Sequence, residues 1–546
     1  MRKTRAAAVP ILLALATGSA GAQESRKGLW TAPVSENRLP HFEAVNQRKV
    51  FFVDGLPFTA LTVETHWDQI IYGRYRETMG VYDYTYPAAE AMHLNALKVP
   101  VKWSMVEPEE GRYDFAYVDH AKEMAERHHL KLVLNWFGHY ASGRGTAYRN
   151  MTGEVFAPMY IIKDEQRFPR AVDADGKPHP DALSYGYPAV VEKESAAFRA
   201  FMAHIRDVDS QAHTVIAIQV ENEIAVFGSD RRNPKLWRDH SPAAERRFKE
   251  KGFTDDLKFA AWDFAANWLR PLTDAGAKEY PIPFFVNFVG GKLADWMTGG
   301  APAEDVATYL ESVPALVFAG LNNYVSSPSD YSADDFRMTF NTYKVGRNLP
   351  ALTETNSGRS AVAPRSLFLS VGEYGSPLFA PWSLIVSYPE GYPERQEPYV
   401  LKDGTLANGA FALSEAYSCL RQAMPCVSYF GGTERARVFL ADLPGTRFSQ
   451  TKVMDGVQIA VSGTDDGQAL VVRPNDNEVI IAGYRSSVTL KTGQMRWPAL
   501  DTMRIERGLW IGSEWRQQGT AVQVLDQAAG RVRITLNEAQ VVRVSW

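Results

Sequence analysis

The sequence predicts an α/β chain: a (β/α)8 TIM barrel followed by a smaller all-β sandwich domain. Three observations predict it. Between about residues 50 and 425, short apolar runs rich in β-branched residues alternate with amphipathic stretches of helical period. Those runs end, one after another, in amides, carboxylates and indoles. Beyond Met424 the helical period stops, and short alternating segments separated by Gly, Asp and Asn take over.

A chain of 546 residues suits one large domain and one smaller one. Residues 1–22 read as a secretory signal. Arg2, Lys3 and Arg5 precede an apolar run from Ala6 to Ala16, and Ala20-Gly21-Ala22 supplies an A-x-A cleavage site before Gln23. The expected product is periplasmic or secreted, with the barrel over 23–425 and the β domain over 426–546. No later apolar stretch approaches the roughly 20 residues that a membrane span requires.

The formal net charge is −4 and no basic run is long enough to track a phosphate backbone, which argues against nucleic acid as a partner. All eleven histidines lie at or before His240, without an H-E-x-x-H or paired C-x-x-C motif, so neither a metal nor another cofactor is expected. Cys419 and Cys426 do not make a disulfide scaffold, and spacing leaves their pairing open. No G-x-S-x-G follows a strand, and the glycine fingerprint of dinucleotide binding is missing. Nothing in the sequence assigns an oligomeric state.

Taken in order, the expected barrel strands lie near 58–64, 97–103, 130–136, 214–221, 283–287, 317–324, 350–354 and 376–381. Helices are expected over 117–128, 195–207, 254–275 and 303–313, where apolar residues recur every three or four positions. The longest insertion, roughly 138–192, carries Tyr140, Tyr148, Tyr160, Tyr185 and Tyr187 and reads as a long loop over the C-terminal face. In the last domain, strands are expected at 458–462, 469–472, 479–481, 487–490 and 531–535.

Reacting groups of a barrel come from the C-terminal ends of its strands. Here those ends read Glu64-Thr65-His66-Trp67, Lys102-Trp103, Asn135-Trp136, Glu221-Asn222-Glu223, Asn287, Asn322-Asn323-Tyr324 and Glu354. Carboxylates, amides and indoles at one rim are what hydroxyl recognition and glycosidic cleavage need. Cleavage requires one carboxylic acid to protonate the leaving oxygen and a second carboxylate to meet the oxocarbenium-like carbon. Glu223, just past the fourth strand, and Glu354, ending the seventh, are the expected pair of carboxylates. Asn222 is placed to bond a sugar hydroxyl. Glu64, His66, Trp103, Asn135, Trp136, Tyr324 and Trp382 complete the expected substrate-binding set. Trp382 reads equally as a platform under the sugar or as a rim residue, and Tyr324 as a partner of the nucleophile or a capping tyrosine. Glu107 and Glu109 read as solvated acids of a turn.

The run Gln219-Val220-Glu221-Asn222-Glu223 resembles the acid/base motif of glycoside hydrolase clan A, in particular the family 35 β-galactosidases. The segments Leu94-Asn95-Ala96, Val101-Lys102-Trp103, Glu107 to Phe115, Leu134 to Gly138, Arg167 to Arg170, Gly375 to Phe379 and Glu506 to Trp510 are similar to its bacterial members with a compact C-terminal β domain. The resemblance implies a retaining exo-hydrolase releasing terminal β-galactose from an oligosaccharide or polysaccharide, with Glu223 as acid/base and Glu354 as nucleophile. Departures fall around the sugar: Val63-Glu64-Thr65-His66-Trp67 stands where Gly-Glu-Leu-His-Asn is expected, and Asn322-Asn323 precedes Tyr324. They leave open a clan A exo-hydrolase of another specificity, such as a β-glucosidase or a family 42-like enzyme. A barrel that binds sugar without cleaving it is the remaining alternative.

Overall fold

The computed structural model describes residues 28–45, 48–65, 82–138, 147–148, 154–224, 233–289, 303–325, 329, 331–355, 362–384, 398–401, 404–492, 503–526 and 530–546. The expected export segment and His66 lie outside these residues.

Eight parallel strands form the barrel: β1 (Ala60–Leu61), β2 (Ala96–Lys102), β3 (Lys131–Phe137), β4 (Val215–Val220), β5 (Phe284–Val289), β6 (Leu316–Asn323), β7 (Leu352–Thr355) and β8 (Leu378–Phe379). They pair in sequence order, with β8 beside β1. The ring closes between β1 and β2, where Lys98 N–H donates to Val63 O at 3.2 Å and Thr65 N–H to Lys98 O at 2.8 Å. Asn95 reinforces this seam with its side chain, accepting from Leu61 N–H at 2.8 Å and donating to Thr59 O at 2.9 Å. β1 and β8 are far shorter than their apolar runs suggested. Isolated contacts such as the bridges Glu64–Lys98 and Glu64–Trp382 continue the pairing towards the rim.

Alternation along the strands sorts the side chains. Leu97, Val99 and Val101 of β2, and Leu132, Leu134 and Trp136 of β3, face the helices and join the main core. Ala96, Val133, Ile216, Phe285, Phe318, Ala351 and Leu378 point inward as an apolar plug, closed below by Phe51 and Val53 of the hairpin His41–Val45/Arg48–Val53. Above the plug the same inward positions turn polar: Lys98, Asn135, Gln219, Asn287, Asn322 and Thr353 are all fully buried. This polar layer is the floor of the site.

The helix expected over 254–275 is divided. Asp256–Phe264 and Arg270–Glu279 are α-helical, with a π turn over Ala265–Leu269. Pro271 has no N–H for the Asn267 carbonyl and crowds it, so the preceding turn widens. The insertion expected as a loop carries structure of its own, including the helix Met159–Lys163 and the strands Arg170–Val172 and Pro178–Leu183.

The C-terminal domain is antiparallel. Segments expected as separate strands are halves of two long ones, Val457–Asn475 and Glu478–Thr492. Their pairing is interrupted between Gly463 and Gln468, where the sheet bends over an apolar core of its own. On the outer side, Val438, Leu470 and Ile480 pack into the barrel's core. A Cβ at Gly372 would strike Val438 and Leu470, so that glycine permits the close approach of helix Val362–Tyr374.

Candidate active site

Local backbone geometry builds the turn that carries Glu223. Glu221 N–H still bonds Trp136 O at 2.9 Å, continuing β4, but Glu221 and Glu223 then adopt φ of 67° and 50°. Two non-glycine residues in the left-handed region cost free energy and persist only where their surroundings fix them. Here Gln219 Nε2 donates to Glu221 O at 2.9 Å and to Asn222 Oδ1 at 3.0 Å, while Asn287 Oδ1 accepts from Glu223 N–H at 2.8 Å. The reversal turns the half-buried Glu223 side chain towards β6, where Asn322 Nδ2 donates to its carboxylate at 2.9 Å.

Glu354 ends β7 almost fully buried. Its two oxygens have separate donors, Asn287 Nδ2 at 2.9 Å and the Tyr324 hydroxyl at 2.6 Å. Asn287 Nδ2 also reaches Asn222 Oδ1 at 2.8 Å and Asn322 Oδ1 at 3.2 Å. An amide has two N–H bonds for these three acceptors, so the longest contact is the shared one. Burial first, then the Glu354 and Glu223 charges, hold the Tyr324 hydroxyl well above its ordinary range. It therefore stays a neutral donor to Glu354.

Beside Glu354 lies a feature that reading the strand ends missed. Lys98 is fully buried in β2, its Nζ 2.5 Å from Glu64 Oε2, 3.3 Å from Thr353 O and 3.8 Å from Glu354 Oε1. Burial raises the Glu64 carboxyl, to about 7; Lys98 opposes the rise and Glu354 adds to it. The sequence clue was a lysine at an inward position of the apolar strand Ala96-Leu97-Lys98-Val99.

The structure thus gathers Glu223, Glu354, Asn222, Tyr324 and Trp382 at one end of the barrel. The Tyr324 and Trp382 rings meet edge-on at 6.5 Å. Asn135 is buried in β3 and meets the Glu64 carboxyl with its side chain. Asn287 and Asn322, read only as polar strand ends, turn out to connect the two glutamates.

Four expectations are corrected. Trp103 and Trp136 have no exposed surface, and their indole N–H groups are engaged by Glu107 at 3.0 Å and Glu194 at 3.1 Å. Trp136 packs on Phe198 and Phe201 of helix Pro188–Asp209, because its strand position faces outward. Glu64, expected at the sugar, is 1% exposed and paired with Lys98. Glu107 is not a solvated acid: it is buried and also accepts from Gly111 N–H at 2.8 Å, closing the turn. His66, outside the described residues, has no placement to compare.

Among the described residues no helix is long and apolar enough to cross a membrane, and no group of three or more His, Cys, Asp and Glu could hold a metal. Neither a family model nor a curated protein matches the sequence. In structure the chain is similar to an exo-β-1,4-mannosidase from Opitutaceae bacterium strain TAV5, at 14% identity and a TM-score of 0.42, over 68% of this chain and 60% of that one. It is similar to a β-galactosidase from a psychrophilic Marinomonas, at 11% identity and 0.44, over 67% and 60%. It is also similar to endo-glycoceramidase II from Rhodococcus sp., at 12% identity and 0.43, over 90% and 97%. The chain spans about three fifths of the length of the mannosidase and β-galactosidase structures. At such scores these likenesses decide neither substrate nor mechanism, which rest on the side chains.

Proposed function

We propose that this chain is an exported, retaining exo-glycoside hydrolase, a β-galactosidase in preference to another clan A specificity, acting on the ends of oligosaccharides or polysaccharides. The observation that carries the reading is the Asn287 bridge. One amide holds the Glu223 backbone through its oxygen and the Glu354 carboxylate through its nitrogen.

The Glu354 carboxylate, held in place by Asn287 and Tyr324, attacks the anomeric carbon. The glycosidic C–O bond breaks as Glu223 delivers its proton to the leaving oxygen. Glu223, now a carboxylate, takes a proton from water, whose oxygen displaces Glu354 and frees the sugar. Asn222, with its amide oriented by Gln219 and Asn287, is placed to meet a sugar hydroxyl, and Asn135 is the second amide proposed for that role. Trp382 offers an indole face beside Tyr324. No step calls on a metal or an organic cofactor.

The test is a panel of p-nitrophenyl glycosides with purified protein, following the anomer of the first-released sugar by NMR. Release of β-galactose with retained configuration is expected. Preference for another sugar moves the specificity and leaves the chemistry. Binding without hydrolysis of any glycoside would overturn the proposal in favour of an inert barrel.

A further inference from the structure

Lys98 is a cation with no exposed surface, in the centre of the barrel, between two buried carboxyl groups. Among the described residues it is the one cation within ion-pair distance of Glu354. Its ammonium has three N–H bonds. One is directed to Glu64 Oε2 at 2.5 Å and another to Thr353 O at 3.3 Å. Glu354 Oε1 at 3.8 Å is beyond hydrogen-bond reach but within ion-pair reach. Desolvated charges stay ionised only when matched, and here one positive charge faces two acids.

We propose that Lys98 and Glu64 are a positioning pair for the nucleophile. Lys98 supplies the counter-charge that holds the Glu354 carboxylate in place, and the charge on Glu64 sets how much of that attraction Glu354 receives. This inference rests on Glu354 as the nucleophile of the proposed hydrolase. With Glu64 protonated, the Lys98 charge is balanced by Glu354 alone. With Glu64 ionised, the same charge is divided, and Glu354 loses part of its hold. The titratable and charged groups facing Glu64 are Lys98 from β2, Glu354 from β7 and Tyr324 from β6. Trp382, after β8, contributes a backbone bridge. Burial and the Glu354 charge both favour protonated Glu64 and outweigh Lys98 and the Asn135 hydrogen bond, so its carboxyl is raised to about 7.

Neither residue touches the reacting atoms, so the test must read something that packing alone would not move. The full chain is used with a 2,4-dinitrophenyl glycoside of the sugar it prefers, because that leaving group departs without a proton from Glu223. Wild type, Lys98→Met and Glu64→Gln are compared by kcat/KM against pH from about 4 to 9, a range that spans carboxylate and imidazole titration. The wild type is first labelled with a 2-deoxy-2-fluoro glycoside, and the labelled peptide should contain Glu354.

Lys98→Met is expected to lower kcat/KM about a hundredfold and to move the acid limb up by about one pH unit, the effect of losing a nearby opposite charge. Glu64→Gln, which keeps shape and hydrogen bonding, is expected to remove the wild-type inflection near neutrality with KM changed less than about twofold. If Lys98→Met does not fold, the Glu64→Gln profile decides. A label away from Glu354 overturns the nucleophile and this inference together. A label on Glu354 with superimposable wild-type and Glu64→Gln profiles overturns the inference alone.

Discussion

Asn287 joins the two glutamates of the site: its Oδ1 accepts from the Glu223 backbone N–H at 2.8 Å, and its Nδ2 donates to the Glu354 carboxylate at 2.9 Å. A single side chain on β5 thereby fixes an unfavourable backbone turn after β4 and the Glu354 side chain on β7. Replacing Asn287 with Ala frees the turn and removes a charge-assisted hydrogen bond, worth about 1.5–3 kcal/mol. We expect kcat/KM to fall about 10- to 100-fold, with a folded protein by circular dichroism. Unchanged kinetics would mean that the bridge is incidental.

Glu223→Ala should separate substrates by leaving group. On an alkyl or sugar leaving group, which needs its proton, turnover should drop about 10²- to 10⁴-fold. On a dinitrophenyl glycoside the first step should survive, and added azide should speed the second by replacing water. Equal losses on both substrates would remove Glu223 from the acid/base role.

Glu354 competes for the nucleophile's role with Glu373, a second glutamate between β7 and β8. Glu373 lies in the last turn of helix Val362–Tyr374, held in a fork by Arg337 at 2.8 and 2.9 Å. Peptide mapping after the fluoro-sugar should find the label on Glu354, and Glu373→Gln should keep its kcat. Tyr324→Phe removes the 2.6 Å donor to Glu354 and should lower kcat about tenfold or more. A label on Glu373 would sink both the assignment and the proposed mechanism.

Glu64 gives stability a pH dependence of known sign. Its carboxyl is raised from 4.5 to about 7, chiefly by burial. Between those values the folded chain binds more protons than the unfolded one, so stability falls as pH rises. The contribution is complete below the ordinary carboxylate range and lost above neutrality. Tm measured across that window should decline in the wild type and decline less in Glu64→Gln. A steeper decline in the variant would contradict this.

Gly138, just past β3, lies against two buried acids. A Cβ there would fall on the Glu194 and Glu221 carboxylates. Gly138→Ala should destabilise by about 1–3 kcal/mol through overpacking, read as a lower denaturant midpoint. It should also lower activity, because Glu221 opens the turn that carries Glu223. A midpoint equal to the wild type would show that the acids can move aside.

The eight strands, the change to antiparallel structure after the barrel and the two glutamates at strand ends were legible in the sequence, because apolar periodicity is a local property and a strand's end fixes which rim its last residue occupies. Helix Asp256–Glu279 was legible as helix but not as broken, since the π turn depends on one proline. The side to which a rim residue points was not legible. Trp103 and Trp136 sit at the same ends as Asn135 and Tyr324, yet face the helices, because strand parity and helix packing decide between interior and exterior. Lys98 and Glu64, Asn287 and its two glutamates, and Arg337 and Glu373 are pairings between distant elements. Only closure of the barrel brings them together, and with them the charges that the proposed chemistry uses.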